Sequence, residues 1–244
     1  MNVIDAARAF VEYSFPACDA AFVAGSAVRG EATTTSDLDI VIVTRDVKAP
    51  YRESLSAFGW PIEVFVNTHE SYHEFFASDI QRRRPSLPRM CAEGMILKDR
   101  DQVAQRIKNE ARQLLEQGPA PLSAAEITQL RYQLTDALDD FVGSERRGES
   151  YFIANEVAVL ASELVLSYHR QWIGKGKWVL RALQAFDSQQ AELLTVALET
   201  FYQQATKEDL ISFAQDALAL VGGRLFEGYS TLQRTGLKAP VIHA

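Results

Sequence analysis

The pattern of hydrophobic positions changes near residue 101. Before it, short apolar runs typical of strands alternate with segments of helical periodicity; from Asp101 onward only long amphipathic segments remain. Strands are predicted at 20–26, 37–43, 61–67 and 95–99. Helices in the first part are predicted at 3–14, 50–58 and 69–84. The sequence therefore predicts an α+β fold, with a small mixed-sheet domain over residues 1–100 and an all-helical bundle over residues 101–244.

Asp37 and Asp39 stand at the start of the apolar run Ile40–Val43, which is typical of a buried strand. Because side chains two apart on a strand share a face, both carboxylates should project together while Leu38 points the other way. Two such charges repel each other unless they share a proton, contact a basic group such as Arg29, or bind a cation. The two residues alone leave these three alternatives open.

Composition narrows the classes of partner. Hydrophobic residues make up 47% of the 244 residues and charged residues 23%, as in folded soluble proteins. The net charge of −7 argues against a nucleic-acid partner and favours a small or cationic substrate. No apolar run approaches about 18 residues, and the N-terminus is unlike a signal peptide, so we expect a cytoplasmic protein that does not span a membrane. Cys18 and Cys91 are predicted to be buried thiols.

A phosphate-binding turn is predicted just before the aspartates. A turn at Gly25 and Ser26 lets backbone amides and a hydroxyl approach a phosphate closely, while facing carboxylates hold a divalent metal on the same phosphates. Gly-Ser, Arg-Gly and Ser-Asp-x-Asp follow in this order within GSAVRGEATTTSDLDIVIV, from Gly25 to Val43. Phosphate and metal ligands should therefore converge.

This segment resembles the signature of the nucleotidyltransferase superfamily that includes DNA polymerase β. The layout, with a helical C-terminal half, is similar to that of the bacterial aminoglycoside adenylyltransferases and related antibiotic-modifying enzymes. The resemblance implies that Asp37, Asp39 and Glu63 of PIEVFV bind magnesium, with two ions expected, and that Glu63 also accepts the proton of the acceptor hydroxyl. It implies that Gly25 and Ser26 hold the triphosphate of ATP. The implied activity is antibiotic resistance chemistry: transfer of AMP from ATP to a hydroxyl of a small acceptor such as an aminoglycoside, with release of pyrophosphate.

Three basic residues are further candidates for nucleotide binding. Arg29 is placed to contact a phosphate, although an ion pair with Glu31 or Asp37 is an equal alternative. The stretch RQWIGKGKWVLRAL is similar to the segment from which antibiotic adenylyltransferases bring a lysine onto the triphosphate. By this resemblance Lys177, and after it Lys175, would reach across a cleft between the domains from a turn between two helices. Two exposed turn lysines are the alternative.

Acidic residues recur at helical spacing in the C-terminal half. Asp136 and Asp140 form one such set with Asp139, and Glu156 forms another with Glu163. Lining a cleft, they would attract a cationic acceptor. A solvated helix face is the alternative explanation.

Two other functional classes are compatible with parts of the sequence. His69 to His73 read H-E-S-Y-H, which matches the H-E-x-x-H pattern of zinc proteases. That motif requires a helix interior, whereas here it directly follows a strand, so a helix start is the favoured interpretation. The second class is an antitoxin-like or regulatory protein that uses a nucleotidyltransferase fold to modify or bind a protein partner.

Overall fold

A computed structural model describes residues 1–31 and 35–231 of the chain. Residues 32–34, within the signature segment, lie outside the described part. The chain divides into two compact units, Met1–Pro119 and Ala120–Ala244.

The first unit contains a sheet and its flanking helices. Its strands are β1 (Ala20–Ala24), β2 (Leu38–Val43), β3 (Tyr51–Ala57), β4 (Trp60–Asn67) and β5 (Met95–Asp99). Its helices are α1 (Val3–Ser14), α2 (Ser71–Gln81), α3 (Ser86–Glu93) and α4 (Val103–Gln117). The strand order is β3-β4-β2-β1-β5, in which β2 and β4 run parallel and the other neighbouring pairs run antiparallel. The predicted mixed sheet is confirmed.

Side chains along β2 point alternately to the two faces of the sheet. Leu38, Ile40 and Ile42 pack in one core with residues of α1, whereas Val41 and Val43 pack in another core with residues of α2, α3 and α4. All five of these side chains are fully buried. The opposite orientation predicted for Leu38 and Asp39 is therefore confirmed, because Asp39 falls on the Val41 side of the strand. The two cysteines are buried free thiols, as expected.

The predicted helix at 50–58 is wrong, since these residues form strand β3. A two-residue turn, Phe58 and Gly59, joins β3 to β4, and both residues have positive φ angles, 54° and 80°. Positive φ at both central positions is the geometry that matches the twist of a β-hairpin. The alternation of side chains along β3 was the signal for a strand. The helix predicted at 69–84 corresponds to α2, which ends at Gln81, and α3 is an additional helix beyond the predicted range.

Helix α4 belongs to the first unit, so the division near residue 119 differs from the predicted one at residue 100. Val103, Ala104, Ile107 and Ala111 of α4 are buried in the core that contains Val41. Amphipathic periodicity alone does not reveal which partner a helix packs against, because the same apolar stripe suits a sheet or a bundle.

Helices are the only regular secondary structure among the described residues of the second unit. Its helices are α5 (Ala124–Gly143), α6 (Arg147–Tyr168), α7 (Lys177–Phe186), α8 (Ser188–Gln204) and α9 (Glu208–Ala219). They share one core, to which α6 contributes Ala154, Val157 and Leu164 among others. By length and composition alone, helix α6 could cross a membrane. However, 56% of its most apolar 18-residue stretch is buried inside the protein, and the core helix of a soluble protein has the same properties.

Candidate active site

Three carboxylates converge at the start of the parallel strand pair. Asp37 immediately precedes β2, and Asp39 of β2 is paired with Glu63 of β4. One oxygen from each of the three side chains lies within 4.8 Å of the other two. Within residues 1–31 and 35–231, no other group of three or more acidic, histidine or cysteine side chains meets this criterion. The parallel register is what brings residues 24 positions apart in sequence to one point.

This cluster carries an excess of negative charge. Burial, together with the charges of Asp37 and Glu63, raises the pKa of Asp39 to about 6, although Arg29 and Arg52 oppose the shift. The ionised cluster therefore stores repulsion that a cation relieves. Three carboxylate oxygens are a donor set that suits a hard divalent ion such as magnesium. Of the three alternatives left open by the sequence, a bound cation fits this arrangement best.

Gly25 lies directly against the cluster. Its φ angle is +86°, and a Cβ placed on it would lie 2.3 Å from Oδ2 of Asp39. Both the conformation and the space therefore require glycine at this position. Ser26 follows in the turn, where its hydroxyl lies 3.0 Å from that of Ser36 in a hydrogen bond. The predicted turn is thus brought beside the carboxylates; its binding of a phosphate stays a prediction.

Arg29 takes part in ion pairs at the edge of the site. Its Nε lies 3.4 Å from Oε2 of Glu31, and its Nη1 lies 3.7 Å from Oε2 of Glu93 in α3. The pair with Glu31 was one of the two alternatives for this residue. Because Arg29 also lowers the pKa of Asp39, its charge acts on the carboxylate cluster.

Strand β3 supplies two contacts to Glu63 that the sequence analysis missed. Arg52 forms an ion pair with Oε1 of Glu63, and the hydroxyl of Ser54 donates a hydrogen bond to the same oxygen at 3.2 Å. The Arg52 guanidinium also lies 5.0 Å from the centre of the Phe65 ring. These contacts depend on the hairpin of β3 and β4. A helix at residues 50–58 would not form this hairpin, so the sequence analysis did not predict them.

Five of the candidate residues lie in the second unit. Lys175 and Lys177 are exposed at the turn between α6 and α7, as predicted, and Lys177 begins α7. Asp136 and Asp140 of α5 and Glu156 of α6 are exposed as well. Their roles in binding a nucleotide or an acceptor stay predictions.

One member of the acidic set on α5 has an internal partner. Asp139 forms an ion pair with Arg224, which follows α9. The side chains of Arg224 and Asp139 are 43% and 53% exposed, so this ion pair lies at the surface of the unit.

The two histidines of the H-E-x-x-H segment contact different carboxylates. His69 precedes α2, and its Nε2 lies 2.9 Å from Oδ2 of Asp19. His73 lies within α2, and its Nδ1 lies 3.1 Å from Oε1 of Glu110 in α4. Because the two rings are held apart in this way, the segment lacks the shared metal-binding face of a zinc protease. The favoured interpretation, a helix start, fits the structure.

An open pocket of about 720 Å³ lies at the other end of the parallel strands. Thr44 and Thr68, which directly follow β2 and β4, line it, together with charged residues of both signs. Those charged residues are Arg45, Lys48, Glu70 and Glu74, and the imidazole of His69 lies with them. This pocket is separated from the carboxylate cluster by the length of β2, and its charges favour no one ligand. The carboxylate end is therefore the stronger candidate for the functional site.

Comparison with known proteins agrees with this assignment. Residues 7–93 match the family model described as "Nucleotidyltransferase domain". The first unit contains a nucleotidyltransferase domain. The match spans Gly25, Asp37, Asp39 and Glu63, so the carboxylates and the turn both belong to this nucleotidyltransferase domain.

Two further comparisons add little to the nucleotidyltransferase domain. No curated protein matches the chain significantly. Among solved structures, a nucleotidyltransferase-like protein from Exiguobacterium sibiricum is similar, with 14% identity, a TM-score of 0.47 and coverage of 89% of this chain and 74% of the other. A similarity at this level gives no information on the acceptor.

Proposed function

We propose that the chain is a magnesium-dependent nucleotidyltransferase that transfers AMP from ATP to a hydroxyl group of a small, cationic acceptor and releases pyrophosphate. The observation that carries this proposal is the convergence of Asp37, Asp39 and Glu63 beside the Gly25 turn, inside a nucleotidyltransferase domain. Transfer of a nucleotidyl group requires charge to be neutralised on phosphate oxygens next to an acceptor held in line. The cluster and the turn are the parts of this chain suited to that task.

In the proposed reaction each residue has a separate role. The backbone at Gly25 and Ser26 faces the triphosphate, and glycine leaves the room that a Cβ would remove. Glu63 accepts the proton as the acceptor oxygen bonds to the α-phosphorus. The bond from that phosphorus to the oxygen shared with the β-phosphate breaks, and its electron pair leaves with pyrophosphate.

Asp37, Asp39 and Glu63 are the residues that would hold magnesium, with two ions expected. When bound, magnesium neutralises charge on the phosphate oxygens and on the leaving pyrophosphate. The raised pKa of Asp39 supports this assignment, since the cluster gains most from a cation when all three groups are ionised.

The acceptor and the second unit enter as part of the proposal. Lys177 or Lys175 would contact the triphosphate, and Asp136, Asp140 and Glu156 would attract a cationic acceptor such as an aminoglycoside. The exposure of these side chains supports such roles. We propose small-molecule partners rather than nucleic acid, in the cytoplasm, in keeping with the net charge of −7.

The test is a transfer assay with purified protein, magnesium, ATP labelled at the α-phosphate, and a panel of aminoglycosides. We expect pyrophosphate release that requires both magnesium and acceptor, with the label appearing on the acceptor. Parallel reactions with GTP, CTP and UTP identify the preferred nucleotide. Failure of every acceptor and every nucleotide, together with failure of ATP to bind, would count against the proposal.

Two variants separate this activity from a contaminant. Asp37→Asn removes one proposed metal ligand and should reduce release by at least about a hundredfold. Asp46→Asn removes the same charge at an exposed position beyond β2 and should leave release unchanged. Equal activity in both variants would assign the observed reaction to another protein.

A further inference from the structure

We infer that Arg52 of β3 is a positioning residue that orients Glu63 toward the acceptor proton and weakens the affinity of the carboxylate cluster for a cation. This inference rests on the proposed function and adds a residue outside the carboxylate cluster. It starts from the hairpin, where Ser54 is paired with Glu63 and Arg52 with Phe65 across the two strands. Paired residues on antiparallel strands project from the same face, so Arg52 and Ser54 lie on the face of Glu63.

Both β3 contacts to Glu63 involve one oxygen. The Arg52 ion pair and the Ser54 hydrogen bond fall on Oε1. A carboxylate oxygen with two donors, one of them charged, is a poorer ligand for a cation and a poorer proton acceptor than its neighbour. We therefore assign the acceptor proton to Oε2, while Oε1 fixes the orientation of the side chain.

Arg52 itself is held by geometry as well as by charge. Its guanidinium lies 5.0 Å from the centre of the Phe65 ring, an arrangement suited to a cation–π contact. The side chain is 61% exposed, against 16% for Glu63, so the arginine is anchored by its two neighbours rather than by burial. An exposed arginine of this kind can be removed without opening a cavity in the core.

The charge of Arg52 also acts on the whole cluster. Its guanidinium contacts Glu63, which is paired with Asp39 across the parallel strands, so the positive charge lies beside the carboxylate cluster. A positive charge in this position repels a divalent cation while it holds the carboxylate that accepts the proton. Removal of Arg52 should therefore tighten cation binding and slow transfer. A merely structural role would not change the two quantities in opposite directions.

The experiment measures Mn²⁺ affinity and transfer rate in the same set of variants. Mn²⁺ binding is followed by electron paramagnetic resonance on the full chain without nucleotide. Arg52→Ala should bind Mn²⁺ about three- to tenfold more tightly, because a repelling charge is gone, while kcat for transfer falls about ten- to a hundredfold. Unchanged melting temperatures within about 3 °C establish that the variants are folded.

Two further variants separate charge from geometry. Ser54→Ala removes only a hydrogen bond and should leave Mn²⁺ affinity unchanged while kcat falls a few-fold. Arg52→Lys keeps the charge but loses the planar guanidinium, so Mn²⁺ affinity should stay at the wild-type level and kcat should be intermediate. Arg8→Ala is the control, since Arg8 is exposed on α1 and its removal makes the same charge change.

The outcomes distinguish this inference from the proposed function. A wild-type protein that binds Mn²⁺ and an Arg52→Ala variant with unchanged or weaker affinity would overturn the inference alone. The same holds if Arg8→Ala tightens Mn²⁺ binding equally, because the effect would then be one of net charge. A wild-type protein that neither binds Mn²⁺ nor transfers a nucleotide would overturn the proposed function and this inference with it.

Discussion

Two aspartates at opposite ends of β2 have opposite electrostatic environments. Asp39 lies near the start of the strand, faces two other carboxylates, and has a pKa raised to about 6. Asp19 precedes β1 and lies beside the end of β2, where its backbone N–H donates to the carbonyl of Val43. The Asp19 side chain is 4% exposed, yet its pKa is lowered.

The neighbours of Asp19 reverse the effect that burial has on the pKa of both residues. Burial disfavours the charge on both residues, but at Asp19 the hydrogen bond with His69 and the charges of Arg45 and Arg100 outweigh it. At Asp39 the nearest charges are negative, so burial and repulsion act together. A carboxylate whose charge is matched within the chain stabilises the fold. A carboxylate whose charge is unmatched is a candidate for binding a ligand.

Asp39→Asn should produce the largest effect, because it removes the unmatched charge. Transfer activity should fall about a thousandfold, since a proposed metal ligand is lost. The same variant without metal should be more stable than the wild type by about 1 to 2 kcal/mol at pH 7, after allowance for solvent screening of the partly exposed group. Activity assays and urea unfolding in EDTA measure the two effects. A variant that is both inactive and less stable would assign Asp39 to the fold instead.

Gly25→Ala tests the space beside Asp39. The added Cβ would lie 2.3 Å from Oδ2 of Asp39, and the φ angle of +86° disfavours any side chain. We expect a loss of about 2 to 3 kcal/mol in the free energy of unfolding, together with weaker Mn²⁺ binding as Asp39 is displaced.

Gly30→Ala is the matched control for this substitution. Its φ angle is +74°, but a Cβ there would meet nothing within 4 Å. This variant should therefore lose only the part of the free energy of unfolding that comes from placing a side chain at a positive φ angle. Equal losses in the two variants, with Mn²⁺ binding intact in both, would remove the steric argument at Gly25.

The sequence predicted the carboxylate end of the molecule better than its surroundings. Asp37, Asp39 and the Gly25 turn are close in sequence, so strand alternation and turn chemistry suffice to bring them together. Glu63 is distant in sequence and required the parallel register of β2 and β4. A resemblance supplied that link where local periodicity could not.

The contacts missed by the sequence analysis all depend on long-range pairing. Arg52 and Ser54 reach Glu63 only through the β3–β4 hairpin, and residues 50–58 were assigned to a helix. The ion pairs of Asp19 with Arg45 and Arg100 join three separate segments of the chain. Local patterns determine the face on which a side chain lies but not its partner across the sheet.

Asp19→Asn should have the opposite effect on stability from Asp39→Asn. The substitution removes a charge that is matched by His69, Arg45 and Arg100. We expect a loss of about 2 kcal/mol in the free energy of unfolding at pH 7, with metal affinity unchanged. Asp46→Asn, at an exposed position nearby, should change stability by less than about 0.5 kcal/mol. If Asp19→Asn were as neutral as this control, the buried ion pairs would not support the fold.

The pH dependence of stability should differ between Asp39 and Asp19, and this is the smallest of the expected effects. Because the folded pKa of Asp39, about 6, lies above its ordinary value of 3.8, the folded state binds more protons in this interval, and stability falls as pH rises through it. The folded pKa of Asp19 is lowered, so its contribution is present above pH 3.8 and is lost only as pH falls below that value. Without metal, the wild type should therefore gain about 1 kcal/mol relative to Asp39→Asn between pH 7 and pH 5. Urea unfolding at each pH measures this difference, and magnesium should abolish it by keeping Asp39 ionised. Parallel curves for the two proteins would mean that the cluster holds no unmatched charge.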